Sequence, residues 1–351
     1  MNTLLYLIML PFSFIYGLMM FVYNKMYDCK LKKIRHFDIP VISVGNISVG
    51  GTGKTPHIEY LVELLSKDFK IAVLSRGYKR KSKGFQYVDV NDCYTKTGDE
   101  PLQIKKKYPD ITVAVNANRC KGIEKLRRDF PDIDMILLDD AFQHRKIQPS
   151  LNIVLIDYNR PVSKDSILPA GRLRDCKSSL YRADIILVTK CPNDILPKER
   201  KTVASQLEKY KKPLYFSTLE YGKECPLFQS SIDLNCQTKL SGISGIANPV
   251  PFFKLIDKRY AFAIIEKLKF PDHHDFSEKD IRIILKKTET SAIVTTEKDS
   301  VRLIPHFNGM ENRYTEKLFY IPIKVKVFES QKFNSHIIEH VRKSKTDSRL
   351  Y

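Results

Sequence analysis

The sequence predicts an α/β protein in which helices cover a parallel sheet, with a second, smaller α/β domain and an N-terminal membrane helix. Short β-branched runs alternate with helical stretches through most of the chain, which is typical of parallel sheets built from strand–helix units. The length of 351 residues, at about 150 residues per domain, accommodates two domains. An apolar segment near the N-terminus stands apart from this alternation.

That apolar segment runs from Leu4 to Tyr23 and contains 20 residues without a charge. As a helix it would measure about 30 Å, the thickness of a bilayer's hydrocarbon core. It lacks the basic flank and the cleavage site of a signal peptide. The basic residues that follow it favour a cytoplasmic body. A spanning anchor, a helix in the membrane interface and a soluble core helix all remain open, and the first two place the protein on a membrane.

The charge balance predicts an anionic partner. Lys and Arg number 59 against 40 Asp and Glu, a formal net charge of +19, which suits nucleic acid, an acidic membrane or a phosphorylated substrate. The cysteines are odd in number and include no C-x-x-C, so we expect free thiols in a reducing compartment rather than disulfides or a zinc cluster. They are Cys29, Cys93, Cys120, Cys176, Cys191, Cys225 and Cys236.

After the apolar segment, the alternation predicts a series of strands and helices. The expected strands are Pro40–Val44, Ile71–Ser75, Ile111–Val115, Met135–Asp139, Asn152–Asp157 and Ile185–Thr189, and the expected helices include Pro56–Lys67 and Arg119–Asp129. Periodicity fades around Pro226–Leu240, which favours a linker. A shorter series follows at Ile246–Phe262, Ile281–Lys287, Ala292–Thr296, Leu318–Val325 and Asn334–Arg342.

The first strand runs into a glycine-rich loop and then an amphipathic helix, the context of a P-loop. Such glycines allow backbone N–H groups to point at phosphate oxygens, and the helix N-terminus adds its positive dipole end. Lys54 is expected to meet the β- and γ-phosphates, and the Thr55 hydroxyl to ligate Mg²⁺. The first position of the motif holds Ser48 instead of glycine. The predicted nucleotide-binding residues are Ser48, Val49, Gly50, Gly51, Thr52, Gly53, Lys54 and Thr55.

A hydrophobic strand ending in Asp139 and Asp140 supplies the acidic group that a P-loop needs for its metal ion. Asp139 is the leading candidate. The strand is not followed by D-x-x-G, and the sequence has no guanine-reading [NT]-K-x-D. These absences favour ATP over GTP.

Eight segments in the same order carry a family resemblance: VGNISVGGTGKTP (44–56), LSRGYKRK (74–81), GDEP (98–101), LDDAFQHRKI (138–147), LPAGRLRD (168–175), GIANPVPFF (245–253), FPDHHDF (270–276) and TTEKDSVRL (295–303). They cover nearly the whole chain and resemble the tetraacyldisaccharide 4′-kinases, the lipid A biosynthesis kinases of Gram-negative bacteria. Members of that family commonly carry a hydroxyl residue at the position of Ser48. One departure is Asp175, where many members have Glu.

The resemblance implies an ATP- and Mg²⁺-dependent enzyme that transfers the γ-phosphate to the 4′-hydroxyl of a tetraacyldisaccharide 1-phosphate and forms lipid IVA. It implies a membrane helix and basic flank at 1–35, a P-loop kinase domain at 36–225, a linker at 226–240 and a smaller α/β domain at 241–351. The active site is expected between the two domains. The enzyme is expected on the cytoplasmic side of the inner membrane, with anionic lipids as further partners.

By motif match, the general base is Asp99, paired with His273. From the residues alone, Asp99 could simply begin a helix, and the adjacent histidines at 273 and 274 could suggest zinc, although neighbours cannot readily face one ion. Further phosphate or substrate candidates are Arg76, Arg119, Asp140, Gln143, His144, Arg174, Asp175 and Asn248. Their arginines could equally be ordinary surface charges.

Two other classes remain as alternatives. One is a different P-loop enzyme, such as a small-molecule kinase or a metallochaperone, which the leading apolar segment disfavours. The other is a nucleic-acid-binding protein. The basic runs are scattered, lack interleaved aromatic residues and match no helix-turn-helix or RRM signature, so we expect no nucleic acid partner.

Overall fold

The computed structural model of the protein describes residues 3–235, 238–260 and 264–348. Within these residues the chain forms a nine-stranded sheet and a five-stranded sheet. The six cysteines in the described part of the chain are free thiols, whereas Cys236 lies outside it. The end of the stretch predicted at 246–262 also lies outside the described residues.

Helix α1 (Thr3–Asp28) contains the apolar segment and is long and apolar enough to cross a membrane. Only 6 % of its most apolar stretch is buried. The other side of α1 lies against the protein through polar contacts near both ends. Tyr6 Oη lies 3.0 Å from Ser166 Oγ, and Asn24 Nδ2 donates to Asp175 Oδ1 at 2.8 Å. The helix therefore follows the protein body along its length.

The first part of the chain alternates strands and helices much as the sequence predicts. Its strands are β1 (Val41–Asn46), β2 (Ile71–Ser75), β3 (Gln86–Tyr87), β4 (Thr112–Val115), β5 (Met135–Asp139), β6 (Leu151–Asp157), β7 (Ile185–Thr189) and β8 (Leu214–Tyr221). Its α-helices after α1 are α2 (Lys54–Leu65), α3 (Tyr94–Thr97), α4 (Asp99–Lys107), α5 (Arg119–Asp129) and α6 (Pro197–Leu207). Six of these strands are fully or almost fully buried, as a sheet covered on both faces requires. They are β1, β2, β4, β5, β6 and β7.

The five-stranded sheet follows. Its strands are β9 (Cys225–Pro226), β10 (Leu240–Ser244), β11 (Ile264–Lys269), β12 (Ala292–Thr296) and β13 (Leu318–Ile321), in the order β11-β10-β12-β13-β9. The helices of this part are α7 (Val250–Arg259), α8 (Glu278–Thr288), α9 (Glu297–Phe307) and α10 (Asn312–Thr315). Helix α9 packs on both sheets, because Val301 joins the core of the nine-stranded sheet while Leu303 and Phe307 join that of the five-stranded sheet.

The chain then returns to the first sheet. Strand β14 (Ile323–Val327) pairs antiparallel with β8, and α11 (Ser330–Ser348) packs on the same core. The order of the nine-stranded sheet is β14-β8-β7-β6-β1-β5-β2-β4-β3, parallel except for the edge pairs β14–β8 and β3–β4. The carboxyl ends of β1, β5 and β2 thus lie side by side, which is where a parallel sheet places its ligand site.

The predicted α/β class with a parallel sheet is confirmed. Strands β2, β5 and β7 have the predicted bounds. The predicted element Leu318–Val325 is divided between β13 and β14, which belong to different sheets, and β8 and β10 were not predicted. Helix α2 begins two residues earlier than predicted because the phosphate loop leads straight into the helix. The division into domains at 225 and 241 stays a prediction.

Candidate active site

The loop between β1 and α2 has the conformation of a phosphate-binding loop. Gly50 has a φ of 100° and Gly53 a φ of 88°, a region that residues with a Cβ rarely occupy. Gly53 is the residue before the first turn of α2, which starts at Lys54. The free N–H groups and the positive dipole end of this turn suit the binding of phosphate.

Side chains from the neighbouring strands hold the loop in place. Thr189 Oγ1 donates to the Thr52 carbonyl at 2.9 Å, and Asn46 Nδ2 donates to Thr52 Oγ1 at 2.7 Å. His57 Nδ1 contacts the Gly53 carbonyl at 2.7 Å, so its other nitrogen accepts from Ser217 Oγ at 2.9 Å. Burial lowers the pKa of His57 to about 4, which keeps this ring neutral. The loop is therefore fixed before any ligand binds.

Asp139 at the end of β5 is buried and incompletely paired. Ser75 Oγ donates to Asp139 Oδ2 at 3.0 Å, whereas Asp139 Oδ1 has no hydrogen-bond partner within the described residues. Burial, together with the carboxylates of Glu100 and Asp140, raises the pKa of Asp139 to about 7. An oxygen left without a partner beside a phosphate loop is a suitable ligand for a divalent cation.

Asp140 links the phosphate loop to Arg174. Its carboxylate lies 3.7 Å from Lys54 Nζ and forms a two-point ion pair with the Arg174 guanidinium. Burial alone would raise the pKa of Asp140, but Lys54 and Arg174 lower it to about 2. The fixed carboxylate orients both cations toward the mouth of the loop.

Three other predicted residues surround this centre. Arg119, at the start of α5, is 3 % exposed, and its Nη2 donates to the Asp139 carbonyl at 3.4 Å. Gln143 Nε2 donates to the Asn46 carbonyl at 2.7 Å. Burial lowers the pKa of His144 to about 4, and its Nε2 has no partner in the described part of the chain. These side chains bring positive charge and hydrogen-bonding groups to the ends of β1 and β5.

The remaining candidates lie further out. Arg76 is exposed immediately after β2. Asn248 is exposed and accepts from the Val250 N–H at the start of α7, a local contact. Asp175 is completely buried and accepts hydrogen bonds from Asn24, Ser179 and Arg182. Its contacts anchor α1 to the loop that carries Arg174.

The predicted pair of Asp99 and His273 is in direct contact. His273 Nδ1 lies 2.8 Å from Asp99 Oδ2, and Arg302 Nη1 lies 3.9 Å from the same oxygen. Asp99 is 5 % exposed and is the first residue of α4, so the expectation that it begins a helix is confirmed, whereas its role as base stays a prediction. Burial alone would raise the pKa of Asp99, but the hydrogen bond from His273 and the charge of Lys298 lower it to about 2.

Lys298, which the sequence analysis did not single out, completes this cluster. Its Nζ lies 3.0 Å from His273 Nε2 and 3.0 Å from Glu100 Oε1. Lys298 lies in the segment TTEKDSVRL, but no feature of the neighbouring sequence distinguishes it from the other lysines of the chain. His274 instead contacts Asp280 Oδ2 at 2.9 Å, so the two neighbouring histidines have different partners. This argues against a metal ion shared between them.

An open cavity of about 290 Å³ lies beside the Asp99–His273 pair. Its lining combines residues that follow β2, the region before α4, the 271–275 segment and α9. They are Tyr78, Lys79, Lys81, Tyr94, Thr95, Asp99, Pro271, Asp272, His273, His274, Asp275 and Arg302. Aromatic and basic side chains around a buried carboxylate suit the binding of a polar, anionic ligand.

Comparison with known proteins identifies the family. Residues 5–342 match the family model described as tetraacyldisaccharide-1-P 4′-kinase. The chain is 46 % identical to the tetraacyldisaccharide 4′-kinase of Phocaeicola vulgatus, and the alignment covers 96 % of each chain. It is 42 % identical to the tetraacyldisaccharide 4′-kinase of Bacteroides thetaiotaomicron, and that alignment covers 96 % of this chain and 94 % of the relative. The crystal structure of LpxK from Aquifex aeolicus in complex with ATP is 31 % identical, with a TM-score of 0.75 over 95 % of this chain and 98 % of that one.

The resemblance seen in the motifs is thus confirmed over nearly the full length. The phosphate loop, the paired aspartates and the Asp99–His273 contact all lie within the matched residues. This chain belongs to the tetraacyldisaccharide-1-P 4′-kinase family.

Proposed function

We propose that the protein transfers the γ-phosphate of ATP to the 4′-hydroxyl of a tetraacyldisaccharide 1-phosphate and so forms lipid IVA in lipid A biosynthesis. The observation that carries this proposal is a buried carboxylate, Asp99, held by His273 at 2.8 Å beside an open cavity in a chain with a preformed phosphate loop. A hydroxyl acceptor needs such a base, and a nucleotide donor needs such a loop.

The loop residues 48–55 hold the triphosphate. Their N–H groups and the start of α2 receive the phosphate oxygens, while Lys54 contributes a cation that Asp140 keeps in position at 3.7 Å. Arg174, paired with the same carboxylate, adds a second cation. Arg119 contributes a third, close to the end of β5. Charge that develops on the transferred phosphoryl group is stabilised by donors that need no rearrangement.

Thr55 and Asp139 are suited to hold Mg²⁺. Asp139 offers an oxygen without a partner in the described residues, and its raised pKa reflects a carboxylate that is costly to ionise without a nearby cation. Thr55 occupies the first turn of α2, where P-loops place the metal-binding hydroxyl. When bound, the ion would neutralise charge on the β- and γ-phosphates.

Asp99 accepts the proton of the 4′-hydroxyl. A pKa of about 2 keeps this carboxylate ionised at neutral pH but makes it a weak base. A weak base suits phosphoryl transfer through a loose transition state, in which little charge develops on the attacking oxygen until late. Proton removal and bond formation therefore take place together, with Asp99 fixing the direction of attack.

We infer that α1 lies in the membrane interface and does not span the bilayer. Its polar contacts with the body extend from Tyr6 to Asp28, the latter paired with Arg145, which would hold the helix against the protein for about 33 Å at about 1.5 Å per residue. Its other face exposes large apolar side chains that suit the acyl region. They are Leu4, Leu5, Leu7, Ile8, Leu10, Phe12, Phe14, Ile15, Leu18, Met19, Phe21 and Val22.

This placement brings the active site to the cytoplasmic face of the inner membrane, where ATP is available. The basic residues after α1 and the net charge of +19 favour contact with anionic lipids. We expect no nucleic acid partner.

The direct test uses the full chain in detergent with Mg-ATP and a tetraacyldisaccharide 1-phosphate, followed by mass spectrometry. We expect one added phosphate and ADP in equal amount. A disaccharide that lacks the 4′-hydroxyl and the variant Lys54→Ala are the controls, and both should yield no phosphorylated lipid. ATP turnover that does not depend on the disaccharide would contradict the proposal and favour another P-loop enzyme.

A further inference from the structure

Lys298 completes a closed ring of four side chains that the assigned roles leave unexplained. Asp99 and Glu100 are neighbours at the start of α4, and Lys298 lies in the first turn of α9. His273 contacts Asp99 through Nδ1 at 2.8 Å and Lys298 through Nε2 at 3.0 Å. Lys298 in turn contacts Glu100 Oε1 at 3.0 Å. The ring joins a helix of the nine-stranded sheet to two segments of the five-stranded one.

The hydrogen-bonding capacity of these groups determines where the protons are. A lysine ammonium has three donors and no acceptor, so Nε2 of His273 must accept from Lys298. Nδ1 must then carry the proton and donate to Asp99. Burial alone would lower the pKa of Lys298, but the carboxylates of Glu100, Asp99 and Asp272 raise it, so the ammonium form persists. The imidazole is therefore neutral. Lys298, which lies outside the Asp99–His273 pair, determines which of its two nitrogens carries the proton.

The residues around Lys298 hold α9 in one position. Thr296 Oγ1 and the Gly245 N–H both donate to Asp299 Oδ2, at 2.6 and 2.9 Å, and Arg302 pairs with the same carboxylate through Oδ1. Asp299 is completely buried. His273 itself has a φ of 55°, a left-handed conformation that is costly for a residue with a Cβ. The position of the imidazole is thus imposed by its surroundings.

We infer that Lys298 is a positioning residue that holds His273 as the neutral, Nδ1-protonated tautomer, so that His273 can only donate to Asp99 and cannot take up the substrate's proton. This inference rests on the proposed function of Asp99 as base.

The consequence for the reaction is a single proton acceptor. As the 4′-oxygen forms its bond to the γ-phosphorus, the bond from that phosphorus to the bridging oxygen of ADP breaks, and the 4′-hydroxyl proton moves to the Asp99 carboxylate. His273 keeps its own proton throughout, because its second nitrogen is occupied by Lys298. The proton then leaves Asp99 for solvent after the product departs.

Several charged or titratable groups face the His273 ring or its backbone, and the test must separate Lys298 from them. Lys79 Nζ reaches only the His273 carbonyl, at 3.4 Å, and is therefore a matched control for the removal of a nearby cation. The groups are Asp99, Lys298, Asp272, Tyr78, Lys79 and, through Asp99, Arg302.

The experiment is an NMR titration of the protein with isotope-labelled histidine, in which the His273 signals are assigned with the variant His273→Gln. In the unaltered protein we expect the neutral, Nδ1-protonated form. In Lys298→Met we expect the Nε2-protonated tautomer or the imidazolium to appear, because the donor that occupies Nε2 is removed. In Lys79→Met we expect no such change.

Kinetics give a second, independent measurement. For Lys298→Met we expect a lower kcat with an unchanged KM for ATP, whereas Lys298→Arg should largely restore kcat. Should Lys298→Met not fold, the tautomer of His273 in Lys298→Arg and in the unaltered protein still tests the inference. An imidazolium, or an Nε2-protonated ring, in the unaltered protein would overturn it. A confirmed tautomer in a protein without disaccharide kinase activity would refute the proposed function alone.

Discussion

Asp99 and Asp139 are two buried carboxyl groups whose surroundings move their pKa values in opposite directions. Burial acts to raise both, but His273 and Lys298 bring Asp99 down to about 2. For Asp139, burial and the nearby carboxylates raise the pKa to about 7. One group is therefore ionised at neutral pH and able to accept a proton, and the other is suited to receive a cation.

Because the pKa of Asp139 is raised, its ionised form should lower the stability of the folded protein. A bound metal ion should remove this loss. The pKa is 3.8 in the unfolded chain and about 7 in the folded one, so stability falls as pH rises between these values and is flat above them. We expect Asp139→Asn to raise the Tm of the ligand-free protein at pH 8 but not at pH 4, and to abolish turnover. Calorimetry should also show that Mg-ADP raises the Tm of the unaltered protein at pH 8 more than that of the variant. A lower Tm for the variant at pH 8 would contradict this.

Asp99 and His273 form one unit, which predicts non-additive losses. Asp99→Ala and His273→Ala should each lower kcat by about 10²-fold or more, the usual scale for a general base, and the double variant should be little worse than the poorer single one. Affinity for ATP should barely change, because neither residue belongs to the phosphate loop. Steady-state kinetics on all four proteins give the answer, and fully additive losses would mean two independent roles.

The residues that could be predicted from the sequence are those with a local signature. Lys54 and Asp139 follow from a loop and a strand end, and Asp99 with His273 from the family resemblance. Lys298 could not be predicted in the same way, because its role depends on a contact with a ring 25 positions away in the sequence. Ser217, which fixes the neutral His57, is separated from it by 160 positions. Such contacts exist only once the sheets have formed.

At the scale of elements, α1 combines two faces with different tasks. Asn24 donates to Asp175 and accepts from Arg145 Nη1 at 3.1 Å. One amide thus provides hydrogen bonds to a completely buried carboxylate and to an almost completely buried guanidinium. Away from these contacts, Phe14 is 74 % exposed. The polar face joins the helix to the loop that carries Arg174, and the apolar face is free for lipid.

Matched substitutions should separate these two tasks. We expect Asn24→Leu to lower the free energy of unfolding by about 1–3 kcal/mol, because Asp175 and Arg145 each lose a partner, and to leave recovery on anionic vesicles unchanged. Phe14→Ser should do the reverse. Denaturant unfolding and vesicle sedimentation measure the two effects, and a loss of vesicle binding in Asn24→Leu alone would refute the proposed orientation of α1.

Most strands could be predicted because they are short, buried and β-branched. Strand β11 was missed because lysine and glutamate interrupt its apolar alternation, and α9 because it starts directly after β12 and contains Pro305. Its start is set by Thr296, whose hydroxyl accepts from the Asp299 N–H at 3.1 Å. An isolated capping residue is a weaker signal than a hydrophobic period.

At the scale of the whole molecule, an ionic cluster with two buried carboxylates connects helices that pack on the two sheets. Lys107 at the end of α4 lies 2.6 Å from Glu59 on α2 and 3.0 Å from Glu297 at the start of α9. Glu297 also accepts from the Ile323 N–H at 3.1 Å. The helix after the phosphate loop, the helix that begins at Asp99 and the helix that carries Lys298 thus meet at one ammonium group.

Removal of the Lys107 ammonium should lower the free energy of unfolding far more than removal of the Glu59 charge. Burial and the charge of Glu297 raise the pKa of Glu59 to about 7, so Glu59→Gln should be nearly neutral or stabilising at pH 8. Lys107→Met leaves two buried carboxylates without a cation and should cost about 3–5 kcal/mol. Denaturant unfolding at pH 8 compares the two variants. Equal losses in both would contradict a shared cluster.

The path of the chain between β8 and β14 has a consequence for how the protein is built. The Gly222 N–H donates to the Pro322 carbonyl at 2.9 Å, so the chain leaves the nine-stranded sheet and re-enters it at adjacent points. Strands β8 and β14 are the two arms of a β-hairpin whose turn has been replaced by about a hundred residues, and insertions are best tolerated at such a tip. The same sheet closed by an ordinary hairpin turn would keep the phosphate loop but would lack His273 and Lys298. The inserted segment is therefore the part of the chain that brings these two side chains to Asp99 and Glu100.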